Sequence, residues 1–495
     1  MSLPSDSAAS VPSVVRAGAH ATATFLTRAF LAVLVLVGSV GLMSCRKSAA
    51  DESGAKVTLR LWAMPNTSRP QGDLEAILKR FEEANPDIDV VVEILDWGSA
   101  WTKITNAANS GSGPDVVQLG TTWCASITDI GSLMPLNDLV AEIGGDTIFV
   151  PAVRSYMQPI YADNITSLPW FVDVRPLYLR KDVLDTLGIT VAQMSGSWDS
   201  YIAGLTRIRD AKLNLDDAKV EPLGLAGKND WNVAHNIYPW IVGNGGGIVN
   251  ELGDSVLLDQ ENSIQGVLKF LELIRKGLAP KAYLEKNTAQ VSAEFDAGRI
   301  ASWQETTSKL IYLERPSEMG GAGNSLAARN YVTAPPPAGP AGRQLFIGGS
   351  NLAIFNSSAH KEDAKKLLAF LTSDPQAVLE FCKASGMAPA LNKVFDDAYF
   401  SANPNRALFR ELVAAGRPYP AVPYWGELET SILNTRFGNI FDIAAEVGGP
   451  YSEAEVRREL SEAASQARAL IEAQLTNKPQ YSERLQRLRL LNSAQ

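Results

Sequence analysis

From Val57 to Trp62 apolar and polar side chains alternate, the two-residue period of a half-buried strand, and Pro65-Asn66 close the run. The period then changes. After Asp73, the apolar residues Leu74, Ile77, Leu78 and Phe81 recur at helical spacing, and Asn85-Pro86 stop that helix. Ile88-Asp89-Val90-Val91-Val92-Glu93-Ile94 predicts a second strand and Trp101 to Asn109 a second helix. Gly111-Ser112-Gly113-Pro114 then leads into a third strand, Asp115 to Leu119. Three strands alternating with two helices predict a parallel sheet with helices on its faces, in which ligands bind beyond the carboxyl ends of the strands. Trp62 and Thr121-Thr122-Trp123 lie just past two such ends.

The mixed pattern continues with interruptions. Pro169 to Asp182 predicts an extended crossing that turns at Arg180-Lys181-Asp182 into a helix. Ala334-Pro335-Pro336-Pro337-Ala338-Gly339-Pro340 predicts a stiff, polyproline-like connector, followed by Leu345-Phe346-Ile347, then Gly348-Gly349-Ser350-Asn351 and a further apolar strand. Near the end of the chain, Glu455 to Gln474 carries Val456, Leu460, Ala463, Ala467, Leu470 and Ile471 on one side, a packing stripe. The charged stretch after Pro479 is expected to be a loose helix.

One apolar run has neither period. Arg28 is followed by Ala29-Phe30-Leu31-Ala32-Val33-Leu34-Val35-Leu36-Val37, a short Gly/Ser stretch, and Leu42-Met43-Ser44-Cys45-Arg46-Lys47. A basic flank, a short apolar core and small residues before a cut site predict an export signal. The run is short for a membrane span of about 20 residues. Its end resembles the lipobox of bacterial lipoproteins. That resemblance implies that residues 1–44 are a removed signal peptide and that Cys45 becomes a lipid-bearing N-terminus tethered to the outer face of a membrane. An uncleaved membrane helix, or a start placed too far upstream, are the alternatives. The small, charged residues that follow suit a flexible stalk, 45–56.

About 450 residues remain after the cut, enough for two domains of ordinary size. The chain is 46% hydrophobic and 20% charged, as globular proteins are, and its net charge of −9 without a basic stripe argues against nucleic acid as a partner. Beyond Cys45 only Cys124 and Cys382 remain, so one disulfide or two buried thiols are both open. With only His235 and His360 downstream and no Cys or His cluster, no metal site and no cofactor is expected. Gly-x-Ser-x-Gly and His-Glu-x-x-His are absent, and Gly245-Gly246-Gly247 lacks the Lys-Ser/Thr of a phosphate cradle.

Several segments, in order, resemble the extracellular solute-binding proteins of ATP-driven (ABC) importers, the group that includes maltose-binding protein. They are Leu61-Trp62, Gly113-Pro114-Asp115-Val116-Val117, the stretch Tyr178 to Leu184, Phe295 to Ala301, Gly348-Gly349-Ser350, Ala364 to Leu371, Gly386-Met387-Ala388-Pro389 and Pro420 to Trp425. The resemblance implies an α/β, two-lobed periplasmic-binding-protein fold with a hinge the chain crosses three times, near Phe171 to Arg175, Ile347 to Ser350 and Gly386 to Ala390. Lobe 1 would comprise 55–170 and 350–388, lobe 2 171–349 and 389–480, with 481–495 as a tail. The ligand would lie between the lobes and be enclosed by hinge closure.

A sugar presents hydroxyls at its rim and C–H patches on its faces, so its site needs charged or amide groups and flat rings. Of the ten tryptophans, Trp62, Trp123, Trp231 and Trp425 fall at predicted loops, with core packing as the other reading. The resemblance places Asp173 on an acidic ligand-binding position at the first crossing, where a carboxylate accepts from two hydroxyls; pairing with Arg175 is the alternative. It places Thr121, Thr122 and Trp123 on a turn of polar contacts, although the acidic and basic pair of maltose-binding proteins is missing there, which speaks against maltose itself. It brings Asn232, His235 and Asn236 to the lobe 2 side of the cleft, Glu305 and Thr306 to a cleft loop and Ser350 to the second crossing. Asp115 is expected to hold a turn.

The expected function is a lipid-anchored, extracytoplasmic receptor, not an enzyme, at the periplasmic or outer cell surface. It would capture a carbohydrate, an oligosaccharide or glycoside, and deliver it as a monomer to ABC permease subunits. The alternatives are a surface glycosidase using Asp173 and Glu305 as its carboxyl pair, and a sensor or adhesin on the same fold.

Overall fold

The alternating first segment forms the strand Val57–Ala63, and in the computed structural model, which describes residues 56–493 apart from 216 and 229, it pairs in parallel with both Ile88–Ile94 and Val116–Gly120. The signal run, Cys45 and the stalk up to Ala55 lie outside the described residues. The intervening helices are Pro70–Ala84 and Trp97–Ser110. Each starts a turn earlier than its apolar spacing predicts, for local reasons. Pro70 pre-sets the first turn of one. The Asp96 carboxylate accepts the Gly98 N–H at 2.9 Å to cap the other, and Gly111 in the left-handed region (φ 64°) ends it.

Two sheets organise the chain. The first has six strands in the order Ala388–Pro389, Leu168–Asp173, Gly348–Ile354, Val116–Gly120, Val57–Ala63 and Ile88–Ile94. The second has four, Tyr331–Ala334, Leu177–Arg180, Ile300–Gln304 and Glu221–Gly224. The chain leaves the first sheet at Asp173, enters the second at Leu177, returns from Ala334 to the first at Gly348, and leaves again after Pro389. The first sheet runs through Asp173, resumes at Gly348 and ends its last strand at Pro389. Backbone pairing continues to the link itself, with Gly348 opposite Asp173 and Ala388 opposite Val172. Gly349 is needed there: its φ is 133°, and a Cβ would fall 2.2 Å from the Phe171 carbonyl oxygen.

The two-residue period assigns faces. Leu59, Leu61 and Ala63 enter one core with Phe81, Trp170 and Phe381, while Trp62, Val117 and Leu119 enter a smaller core on the other face. Tyr178 of the second sheet joins the first core, whereas its neighbours Leu177 and Leu179 enter a third with Trp198, Phe270 and Phe441. The C-terminal stripe packs as expected, in the helix Glu453–Asn477. The expected loose tail is instead a docked helix, Pro479–Ser493. Tyr481 stacks on Tyr161 at 4.6 Å, Arg484 pairs with Asp163, and Arg489 pairs with Asp254 at 2.5 Å. Cys124 and Cys382 are separate, buried free thiols, which leaves the disulfide alternative aside. Asp115 holds its turn by accepting the Arg60 N–H at 2.8 Å and the Ser358 hydroxyl. No helix among the described residues is long and apolar enough to cross a membrane.

Candidate ligand-binding site

Arg175 sits on the link between Leu168–Asp173 and Leu177–Arg180, where the sheet of one lobe gives way to that of the other. Its Nη2 donates to Asp173 Oδ2 at 3.2 Å, with both side chains buried. The guanidinium lies 5.6 Å from the Trp231 ring centroid and 5.2 Å from that of Phe346. Burial works to lower the pKa of Arg175, but the charges of Asp173 and then Glu305 outweigh it and hold the pKa up. Burial raises the pKa of Glu305 against the pull of Arg175, and its Oε1 accepts the Thr306 N–H at 2.8 Å. Asp173 Oδ1 and Arg175 Nε, both withdrawn from solvent, have no hydrogen-bond partner among the described residues. A buried polar atom left without a partner costs about 1–3 kcal/mol, so both can gain from a further partner.

Trp231, 60% exposed, lies against the Arg175 guanidinium and edge-on to His235 at 5.4 Å. His235, on the helix Val233–Gly243, is buried and stacks on Phe346 at 4.0 Å. Its Nδ1 lies 2.8 Å from Tyr419 Oη and its Nε2 3.3 Å from Glu429 Oε1. Glu429 belongs to a π-helical turn, Leu428–Leu433, set between Trp425–Glu427 and Asn434–Ala444. The extra residue per turn re-aims side chains, and here Glu429 is buried. Burial pushes its carboxyl up to about 8, opposed by the Thr122 hydroxyl bonded to it. Burial, then the charge of Arg175, drives the pKa of His235 well below its usual value. Burial thus favours the uncharged form of each group, since an ion pair here would desolvate two charges.

The other expected site residues divide into those tied to this cluster and those apart from it. Thr122 reaches Glu429, and the Thr121 hydroxyl bonds to Tyr156. Tyr156 Oη in turn accepts the Tyr419 N–H at 2.9 Å. Trp425 stacks on Tyr419 at 4.3 Å and is fully buried, a core ring where a loop-borne one was expected. Ser350 Oγ accepts from Gln118 Nε2 at 2.8 Å. The Oε1 of Gln118 takes the Met64 N–H at 2.8 Å and Asn66 Nδ2 at 2.9 Å, holding the loop after the first strand. Thr306 accepts the Tyr178 hydroxyl on its carbonyl at 2.8 Å and pairs its own hydroxyl with Ser308. Trp62 lies within its strand, in the smaller core, with Lys103 Nζ 4.4 Å from its ring. Trp123 packs on Trp97 and Trp101 at 5.5 and 5.6 Å.

Two spaces adjoin the cluster. A groove of ≈ 680 Å³ runs between Pro65–Ser68 and Ala384–Ser385 of the first lobe and Trp231, Glu305 and the helix Ser308–Glu314 of the second. That volume suits a small organic ligand. Behind it is a chamber of ≈ 50 Å³ lined by Asn232, Asn236, Gln304 and Glu305 among apolar side chains. Asn232 Oδ1 there is a third buried atom without a partner among the described residues. Phe346, Tyr419 and Glu429 were not legible as site residues. Tyr419 borders the Pro420 to Trp425 segment, a usable hint, but a π-turn leaves no mark in residue spacing.

The family model of bacterial extracellular solute-binding proteins matches residues 65–378. The chain belongs to that family. Among the relatives of this solute-binding protein is the diacetylchitobiose-binding protein DasA of Streptomyces coelicolor, 24% identical over 422 residues, 82% of this chain and 91% of the relative. Among solved structures, maltose-bound MalE3 of T. maritima superposes with a TM-score of 0.69 at 20% identity, covering 84% of this chain and all (100%) of the other. UgpB of Mycobacterium tuberculosis, in complex with glycerophosphocholine, superposes with a TM-score of 0.67 at 19% identity, covering 85% and 100%. The solute-binding protein thus shares their two-lobed α/β fold.

Proposed function

We propose that this solute-binding protein captures a carbohydrate, an oligosaccharide or a glycoside, between its lobes and delivers it to the permease subunits of an ABC importer, while a lipid on Cys45 holds it at the membrane. The observation that carries the ligand class is the exposed Trp231 ring against Arg175, whose Nε, like Oδ1 of its partner Asp173, has no hydrogen-bond partner among the described residues. An acceptor and a donor side by side match a hydroxyl pair, and a flat ring matches the C–H face of a sugar. The relative named for diacetylchitobiose and the neighbour that holds maltose support the same class. On this reading Asp173 and Glu305 bind and do not catalyse, and the chain works as a monomer. The lobes meet at Val174–Pro176, in the stretch between Ala334 and Gly348, and after Pro389.

Isothermal titration with maltose, diacetylchitobiose, their single-ring units, glycerophosphocholine, amino acids and spermidine tests the ligand class, with Trp fluorescence as a second readout. Saccharide binding with no release of smaller sugar is expected. Tight binding of glycerophosphocholine, an amino acid or spermidine without any saccharide would overturn it. Incorporation of labelled palmitate that disappears in Cys45→Ser tests the anchor.

A further inference from the structure

The groove has a second ring with the same construction as Trp231. Tyr312, on the helix Ser308–Glu314, lines the groove at 39% exposure, and Lys309 Nζ lies 4.6 Å from its ring centroid. Trp231 lines the groove at 60% exposure, with Arg175 at 5.6 Å. In both cases a buried cation holds the ring while the ring stays open to the groove. Lys309 is itself fixed, donating to Asp296 Oδ1 at 2.6 Å and Ser292 Oγ at 2.7 Å. A cation against an aromatic face is attractive, and a side chain already held loses little freedom when a ligand covers it. An ordinary surface tyrosine has no such tether.

Position distinguishes the two rings. Trp231 lies against Arg175 and shares the groove with Glu305, whereas Tyr312 is one helical turn from Arg315, which reaches across to the first lobe. There Arg315 bonds to the Ser68 hydroxyl and, at 3.3 Å, to the Ala384 carbonyl. Arg315 thereby closes that end of the groove. Asn66, Asn287 and Ser308 also line the groove.

We infer that Tyr312 is the platform of a second sugar subsite, so that the ligand is a chain of at least two rings, the first on Trp231 and the second on Tyr312 against the Arg315 end. This rests on the carbohydrate reading above. It makes Tyr312 a specificity-determining residue for length: a single ring is held at Trp231 alone, and the added ring gains affinity only through Tyr312.

The test titrates maltose and diacetylchitobiose, with glucose and N-acetylglucosamine as their single-ring units, into the unaltered chain and into Tyr312→Ala, Tyr312→Phe and Trp231→Ala, with melting curves to show that each variant folds. For whichever disaccharide binds, Tyr312→Ala lowers its affinity about tenfold and leaves the single ring within about twofold, while Tyr312→Phe retains both. Trp231→Ala weakens single ring and disaccharide together. Equal loss for single ring and disaccharide in Tyr312→Ala, or no loss for either, overturns the subsite and leaves the carbohydrate reading standing. A single ring that binds where both disaccharides fail overturns the subsite alone, and failure of every saccharide overturns the carbohydrate reading and the subsite with it.

Discussion

Glu429 Oε1 lies 3.3 Å from His235 Nε2 with both side chains buried, and the two groups titrate in opposite senses. Between the ordinary 4.5 and about 8 the folded chain keeps on Glu429 a proton that the unfolded chain has released. The contribution of this group to stability is therefore full below pH 4.5, falls as pH rises, and is gone above about 8. His235 is neutral when folded, so its contribution is present above its ordinary 6.5 and is lost as pH falls. Glutamine at 429 can donate to His235 and accept from Thr122 without titrating. The melting temperature of Glu429→Gln should thus gain on that of the unaltered chain from about pH 5 to about pH 8. Parallel melting-temperature curves for the two chains would refute a raised Glu429.

Trp231 and Trp425 should separate under mutation. Trp231 is 60% exposed and packs mainly edge-on to His235 and over Arg175, so Trp231→Ala should change the melting temperature little while weakening ligand binding. Trp425 is fully buried against Tyr419, and Trp425→Ala should cost about 3–5 kcal/mol of stability whatever it does to binding. Urea titration of both variants measures the difference.

Asp173→Asn leaves Arg175 buried without its charged partner. Breaking a buried pair from one side costs about 3–5 kcal/mol, so the single variant should lose both stability and ligand. Asp173→Asn combined with Arg175→Gln should recover part of the stability but not the binding. A double-mutant cycle on melting and affinity separates the two roles.

The two thiols should be inert. Burial pushes Cys124 up to about 12 and raises Cys382 further. In a Cys45→Ser chain, a thiol reagent at mildly alkaline pH should label neither residue until denaturant is added, and then both. Labelling of the native chain would contradict their burial.

Gly349→Ala should destabilise the second crossing, because its φ of 133° and the Phe171 carbonyl 2.2 Å from a Cβ leave no room for a side chain. A fall in melting temperature larger than that of Gly72→Ala, where nothing lies within 4 Å of the added Cβ, is the expected comparison.

Local pattern carried much of the first lobe. The strand Ile88–Ile94 falls where its apolar run does, and the helices miss only at ends set by a proline and an Asp96 cap. The site was legible less evenly. Asp173, Arg175, Trp231, His235 and Glu305 meet in one cluster although 132 positions separate the first from the last, because a link of three residues joins the two sheets beside them. Thr121 and Thr122 reach the cluster only through Tyr156 and Glu429, and Trp62 and Trp123 pack elsewhere.

Apolar periodicity and the segments shared with a family were sufficient to determine the fold class, because burial of a face every two or every three to four residues is a local demand that the chain meets wherever it folds. Which tryptophans are open and which are core, that burial raises Glu429 beside His235, and that Tyr312 shares a groove with Trp231 were decided by tertiary structure alone. Exposure, desolvation and ring-to-cation distance depend on residues brought together from distant parts of the chain, and no local spacing encodes them.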